Sequence, residues 1–236
     1  MGNITEDYKR LGYFSEDVAA DSRRKEFDIK NHSVIRTGIQ PDFLFIGDSI
    51  THFWELNAYF NVPGQFIVNR GIGGDNTTYL NKRFEVDALQ LKPKYCIMGI
   101  GINDTMDLEG DYWKLIPPLP LHDVLQRAQQ NVLKIIQKAK ETSTTLIIAS
   151  LLPIHMPISM HEADRKHFVC KFNQWLAETT RKENLIFVNY YLATTYPGTN
   201  KLLDNITYDG LHPNARGYEI MSEVLRSTLQ SKNIII

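Results

Sequence analysis

Gly47-Asp48-Ser49 follows an apolar run at residues 43–46 and places a hydroxyl where the chain leaves a strand. If a helix starts near Thr51, backbone N–H groups converge at Ser49 and favour a developing negative charge there. A helix cap is the plainer role for a serine so placed. A second run, 66–68, is followed by Asn69-Arg70-Gly71-Ile72-Gly73-Gly74-Asp75, whose glycines let backbone amides approach a ligand or simply allow a tight turn needing positive φ. Gly99-Ile100-Gly101-Ile102-Asn103-Asp104 offers Asn103 as an uncharged donor beside small residues, although an asparagine in a turn commonly bonds its own backbone. Near the C-terminus, Asp209-Gly210-Leu211-His212-Pro213 sets a carboxylate three residues before an imidazole. Such an acid can hold the imidazole tautomer while the other ring nitrogen faces a nucleophile; a surface histidine that caps a helix is the alternative.

Each stretch has an ordinary structural explanation. Together they supply a hydroxyl, backbone donors, an amide donor and an Asp–His pair, which are the parts needed for acyl transfer. A dinucleotide fingerprint fails, because Asn76 occupies the third glycine position of GxGxxG. A GxSxG nucleophile elbow is also missing. His155, His161 and His167 lie near one another in sequence, but without a paired ligand motif such as HExxH, so neither a metal nor an organic cofactor is expected.

Convergence of these stretches requires a scaffold that brings distant turns together. Five short runs, 43–46, 66–68, 95–98, 146–149 and 185–188, are near-continuously apolar, as strands buried on both faces of a parallel sheet must be. Amphipathic stretches alternate with them. Leu121, Val124, Leu125, Ala128, Val132, Ile135, Ile136 and Ala139 repeat at helical spacing, as do Phe168, Phe172, Trp175, Leu176 and Thr179. Residues 51–60 and 77–89 are shorter helix candidates, and Pro213 suits the first turn of a last helix with Met221, Val224, Leu225 and Leu229 inward. This alternation predicts an α/β chain with a doubly wound, five-stranded parallel sheet and helices on both faces. In such sheets a ligand site lies beyond the carboxyl ends of the strands, where three of the four stretches fall. Residues 1–40 read as an N-terminal extension with a highly charged helix at 15–31, and 41–236 as a single domain.

The 236 residues fit one hydrophobic core. With 43% hydrophobic and 22% charged residues the composition is that of a globular protein. A net charge of -1 without a basic run argues against nucleic acid as a partner. Cys96 and Cys170 are expected to be buried thiols. The N-terminal stretch lacks the apolar core of a secretory signal, and no stretch approaches the ~20 apolar residues of a membrane span, so a cytoplasmic location is expected. Glu6 stands where a myristoylation motif after Met1-Gly2 needs Ser or Thr.

The four blocks, in this order, resemble the SGNH (GDSL) hydrolase superfamily: GDS at Ser49, NRGIGGD ending at Gly74 and Asp75, GIND at Asn103, and DGLH at Asp209 and His212. The form of the second block is similar to that of the esterase branch containing the platelet-activating-factor acetylhydrolase catalytic subunits and bacterial lipase/acylhydrolases. The resemblance implies a flavodoxin-like three-layer α/β/α fold. It also implies Ser49 as nucleophile, His212 as base and then acid, Asp209 as its orienter, and the Ser49 amide, Gly74 amide and Asn103 side chain as oxyanion donors. Ile50 stands in place of the leucine of the GDSL name. Asp48 is expected to hold its loop and, with Trp113, is a candidate substrate contact. Segments 105–120, which includes Tyr112 and Trp113, and 153–160 are expected to wall the pocket, with packing or loop anchoring as the alternative for Trp113. The substrate implied is a small carboxylic ester, including an O-acetyl group on a carbohydrate. Alternatives are a lysophospholipase- or thioesterase-type acylhydrolase, or a binding protein that kept the fold and lost the chemistry. Family habit implies a homo-oligomer; the charged N-terminal helix and the tail Ile234-Ile235-Ile236 could each contact a second subunit or pack on their own domain.

Overall fold

The computed structural model describes residues 20–111 and 113–236. Helix α1 (Ala20–Thr37) precedes strand β1 (Phe43–Gly47) and two short helices, α2 (Ser49–His52) and α3 (Leu56–Tyr59). Then come β2 (Ile67–Gly71), α4 (Thr77–Asp87), β3 (Tyr95–Gly99), α5 (Leu121–Lys140), β4 (Thr145–Ala149), α6 (Glu162–Lys182), β5 (Ile186–Val188), α7 (Tyr190–Ala193) and α8 (Ala215–Gln230). The strands form one parallel sheet in the order β2-β1-β3-β4-β5, the flavodoxin-like order.

Successive strand side chains point to opposite faces, and the two faces carry separate cores. Leu44, Ile46, Cys96, Met98, Leu146 and Ile148 pack on one side with Phe84 of α4, Val132 of α5 and Phe172 of α6. Phe43, Phe45, Ile97, Ile147 and Val188 pack on the other with Trp54, Met221 and Leu225. All five residues of β1 are buried, which is why it reads as an unbroken apolar run. The inner stripe of α5, Val124, Ala128, Val132, Ile135, Ile136 and Ala139, is fully removed from water. Each of its larger side chains stabilises the layer by about 1.5–3 kcal/mol.

Several expectations are corrected. The helix expected over 51–60 starts earlier and is broken, because Asp48 caps it at Ser49 and the Asn69 amide takes the carbonyls of Thr51 and Trp54 that a longer helix would use. Pro213 is not in the first turn of α8: it pairs with Thr207 in an isolated bridge, and Asn214 caps the helix by accepting the Gly217 N–H. Cys96 is buried but Cys170 is only half-buried, since it sits on the flank of α6 with its sulfur 3.4 Å from the Tyr191 hydroxyl. Of the two alternatives for the tail, packing on its own domain holds for Ile236, buried in the α8 core, and for Ile234 against it, while Ile235 is exposed.

The charged helix expected at 15–31 is seen from Ala20 and continues to Thr37; residues 15–19, Tyr112, Met1, Gly2 and Glu6 lie outside the described residues. Helix α1 is joined to the domain through its interior. Phe27 is fully buried against the guanidinium of Arg70, 4.9 Å from the ring centroid, and Arg24 pairs with Asp28 and Asp87. Among the described residues, no helix is long and apolar enough to cross a membrane.

Candidate active site

Strands β1, β2 and β3 end in register, with Gly47 opposite Gly71 and Gly99. The chain therefore leaves the sheet three times at one level, and Ser49, Gly74 and Asn103 follow within a few residues. Asp48 takes the N-cap of α2, accepting the Ile50 N–H at 2.9 Å, so Ser49 is free of that role. Its Oγ lies 2.9 Å from His212 Nε2. His212 Nδ1 lies 2.6 Å from Asp209 Oδ2, while Asp209 Oδ1 accepts the backbone N–H groups of Leu211 and His212 at 3.0 and 2.8 Å. A local turn thus locks acid and imidazole together. With Nδ1–H donating to Asp209, Nε2 is the acceptor for the Ser49 hydroxyl. Partial burial pushes the Asp209 carboxyl upward, but the two amides and the imidazole outweigh it and hold it below its ordinary range.

Ser49 is the first residue of α2, so the helix offers its N–H no partner. Gly74 adopts φ +79°, a conformation that a side chain would disfavour, and that turn follows Gly73, whose N–H donates to His52 Nδ1 at 3.2 Å. A Cβ built on Gly73 would lie 3.9 Å from the Ser49 Cβ, which places this turn against the hydroxyl-bearing residue. Gly71 is needed for another reason: a Cβ there would collide with the His52 backbone nitrogen. Asn103 does not bond its own turn. It donates one amide hydrogen to the Asp75 carbonyl at 2.8 Å, and among the described residues no second acceptor takes the other. The His52 ring stacks on Phe53, whose edge meets the His212 ring at 5.8 Å, so the imidazole is flanked by an aromatic side chain.

Asp48 faces the protein interior and is 1% exposed, so it does not reach a substrate as expected of a contact residue. It lines a cavity of about 30 Å³ with Trp54 and Tyr190. Burial, offset by the Ile50 N–H and reinforced by Asp75 and Asp104, pushes its carboxyl up to about 7. The unfolded chain releases this proton near pH 4. Between about pH 4 and 7 the folded state therefore holds the extra proton, and the Asp48 contribution to stability falls as pH rises through that window. Asp48→Asn is expected to resist urea better than the native chain at pH 8 and no better at pH 4, as equilibrium unfolding at the two pH values would show.

Three hollows border these contacts, and two of them adjoin His212 or Asn103. One, of about 530 Å³, lies on the His212 side and is lined by Phe53, Tyr59, Tyr208 and Tyr218, with Glu55. The other, of about 410 Å³, is lined by Asn103, Met106, Met156, Pro157 and Ile158, with the Glu109–Arg165 ion pair in its wall. Segments 105–120 and 153–160 thus each contribute a wall. Trp113 does not: it stands 90% exposed and lines neither hollow. His155 faces Glu162 and His161 faces Asp164, while His167 is exposed, so these histidines do not converge. Among the described residues, no three His, Cys, Asp or Glu side chains are grouped to hold a metal ion.

Three supporting residues were not singled out from sequence. Asn69 breaks the helix after Ser49 and also accepts the Gly71 N–H. Asp104 accepts from the Thr77 N–H and hydroxyl, tying α4 to the Asn103 turn. Arg83 is fully buried inside α4 between Leu80, Phe84 and Asp87. An arginine four residues before an aspartate on the apolar face of a helix was the available signal for it.

A flavodoxin-like α/β/α layer that holds a serine hydroxyl, an imidazole and a carboxylate in line at the carboxyl edge of its sheet has the architecture of the SGNH (GDSL) hydrolases. The chain belongs to the GDSL-like lipase/acylhydrolase family, whose model matches residues 45–220. It is similar to an acetylxylan esterase of Geobacillus stearothermophilus, 23% identical over 221 residues that span 80% of this chain and 93% of that protein. Among solved structures it resembles a GDSL-like lipase of Bacteroides thetaiotaomicron, with TM-score 0.72 and 24% identity over 88% of this chain and 97% of the other. A catalytic mutant of an acetylxylan esterase from Geobacillus stearothermophilus superposes with TM-score 0.61 at 20% identity, covering 81% of this chain and 95% of the other. At these identities the structural likenesses show the fold.

Proposed function

We propose that the protein is a serine esterase that hydrolyses small carboxylic esters, O-acetylated carbohydrate among them, through an acyl-enzyme on Ser49. The observation that carries this reading is the unbroken relay from Ser49 Oγ to His212 Nε2 at 2.9 Å and from His212 Nδ1 to Asp209 Oδ2 at 2.6 Å. Ser49 Oγ attacks the ester carbonyl carbon as His212 Nε2 takes its proton, and Asp209 stabilises the imidazolium so formed. Charge that gathers on the carbonyl oxygen is met by the Ser49 and Gly74 amides and the free Asn103 amide hydrogen. His212 then gives its proton to the departing alcohol, and water, deprotonated by the same imidazole, releases the acid. The chemistry requires neither metal nor organic cofactor.

The alcohol must leave on the imidazole side, where the hollow is lined by the aromatic rings of Phe53, Tyr59, Tyr208 and Tyr218. Ring faces of this kind stack on the apolar faces of a sugar. The acyl group would then enter the Asn103 hollow, whose ion pair between Glu109 and Arg165 disfavours a long alkyl chain by loss of its hydration. The acetylxylan esterase relative supports the same substrate class. The exposed apolar side chains of Met106 and Ile158, which line the Asn103 hollow, favour a second reading, a lipid acylhydrolase. Hydrolysis of p-nitrophenyl esters of increasing chain length, followed by acetate release from acetylated xylooligosaccharides, separates the two: kcat/KM falling beyond acetyl or propionyl supports the first, and a rise toward long chains overturns it.

Asn103→Ala is expected to lower kcat for p-nitrophenyl acetate about 10²- to 10³-fold with KM little changed, as loss of one oxyanion donor does. Steady-state kinetics on the purified variant would measure it.

A further inference from the structure

The guanidinium of Arg83 is completely buried, and each of its five N–H groups has an acceptor. Nε and Nη2 reach Asp75 Oδ2 at 2.8 and 2.6 Å, and Nη2 also donates to the Gly47 carbonyl at 3.0 Å. Nη1 donates to the Arg70 carbonyl at 2.9 Å and to Asp87 Oδ2 at 3.3 Å. One planar group therefore holds the end of β1, the end of β2 and the glycine-rich turn against α4.

These acceptors border all three candidate oxyanion donors. The Gly47 carbonyl lies two residues before the Ser49 amide. Asp75 follows Gly74 directly. The Asp75 carbonyl, in turn, accepts the amide hydrogen that orients Asn103. We propose that Arg83 is a positioning residue that sets the mutual spacing of the Ser49, Gly74 and Asn103 donors, a role that rests on the ester-hydrolase reading. Arg83 touches no reacting atom and acts through the backbone it braces. Preorganised donors tolerate errors of only about 0.5 Å, and a shift of about 1 Å can cost about 10²-fold in rate. Lysine cannot replace this arginine, because a compact ammonium with three donors cannot span three backbone segments at once.

A structural role alone would predict that any loosening of this buried charge network slows catalysis. Arg24 supplies the internal control. It is equally buried and pairs with Asp28 and Asp87 in the same network, yet among the described residues no hydrogen bond or ion pair joins it to the Ser49 or Gly74 turns. The full chain, R83K and R24K would be compared by urea unfolding, by kcat and KM for p-nitrophenyl acetate, and by the rate of Ser49 labelling with a fluorophosphonate. Both variants are expected to lose stability. R83K is expected to lose about 10- to 100-fold in kcat and in labelling rate with KM within about 2-fold, whereas R24K keeps both rates within about 2-fold of native. If R83K does not fold, Asp75→Asn takes its place: it retains the Arg83 bonds to Gly47 and Arg70, weakens the bond at the glycine-rich turn, and is expected to show the same loss confined to kcat and labelling. Native rates in R83K or in its replacement, or a loss in R24K as large as in R83K, would overturn the role of Arg83 while leaving the esterase reading intact. Failure of the native chain to label at Ser49 would overturn the esterase reading and this role with it.

Discussion

Replacing Ser49 with alanine is expected to lower kcat for p-nitrophenyl acetate by about 10⁴- to 10⁶-fold while leaving the urea midpoint unchanged. The substitution removes one oxygen whose partner is His212 Nε2, and the cap of α2 is unaffected because Asp48 provides it. What survives is attack by water aided by the remaining donors. Hydroxyl and imidazole act as a unit, so the double variant Ser49→Ala/His212→Ala should be no slower than either single variant. Native activity in Ser49→Ala would remove the nucleophile from the scheme.

Asp209→Asn should come next, with a loss in kcat of about 10³- to 10⁴-fold. The reason lies in the local turn. Asp209 Oδ1 accepts two backbone N–H groups, so the amide of an asparagine must leave its oxygen there and turn its NH₂ toward His212 Nδ1. Nδ1 would then have to accept, the ring proton would move to Nε2, and the imidazole could no longer take a proton from Ser49. Asp209 is more than half exposed, with 54% of its side-chain surface open to solvent. Water can therefore stand in when the side chain is removed, and Asp209→Ala should be the faster of the two variants. An Asn variant faster than the Ala variant would refute the tautomer argument.

The parts of the candidate site that were legible in the sequence are those that became improbable as structural devices once taken together. A hydroxyl and an amide stood at strand ends and an Asp–His pair in a loop near the C-terminus, and the parallel sheet that collects them announced itself through apolar runs without alternation. The supports were hidden because their partners are distant in the chain. Nothing near residues 51–60 shows that Asn69 will take the Thr51 and Trp54 carbonyls and end the first helix. For Arg83 the sequence signals at most a pairing with Asp87 one turn on, since its acceptors Gly47, Arg70 and Asp75 are supplied only by the folded chain. Trp113 failed for the converse reason: an aromatic side chain in a proline-rich segment suggests a pocket wall, but its conformation turns it to solvent.

The backbone N–H of His155 donates to the carbonyl of Gly210 at 2.8 Å, and Gly210 lies between Asp209 and His212 in the chain. The residues just after His155 form one side of the Asn103 hollow, so that side and the imidazole share a single hinge-pin. On the esterase reading proposed above, an insertion in segment 153–160 is expected to strain this bond and loosen the turn that holds Asp209 and His212 together. If the Asn103 hollow takes the acyl group as proposed, its preference is expected to change through exchanged side chains at Met156, Pro157 and Ile158, whereas insertions there are expected to slow the reaction.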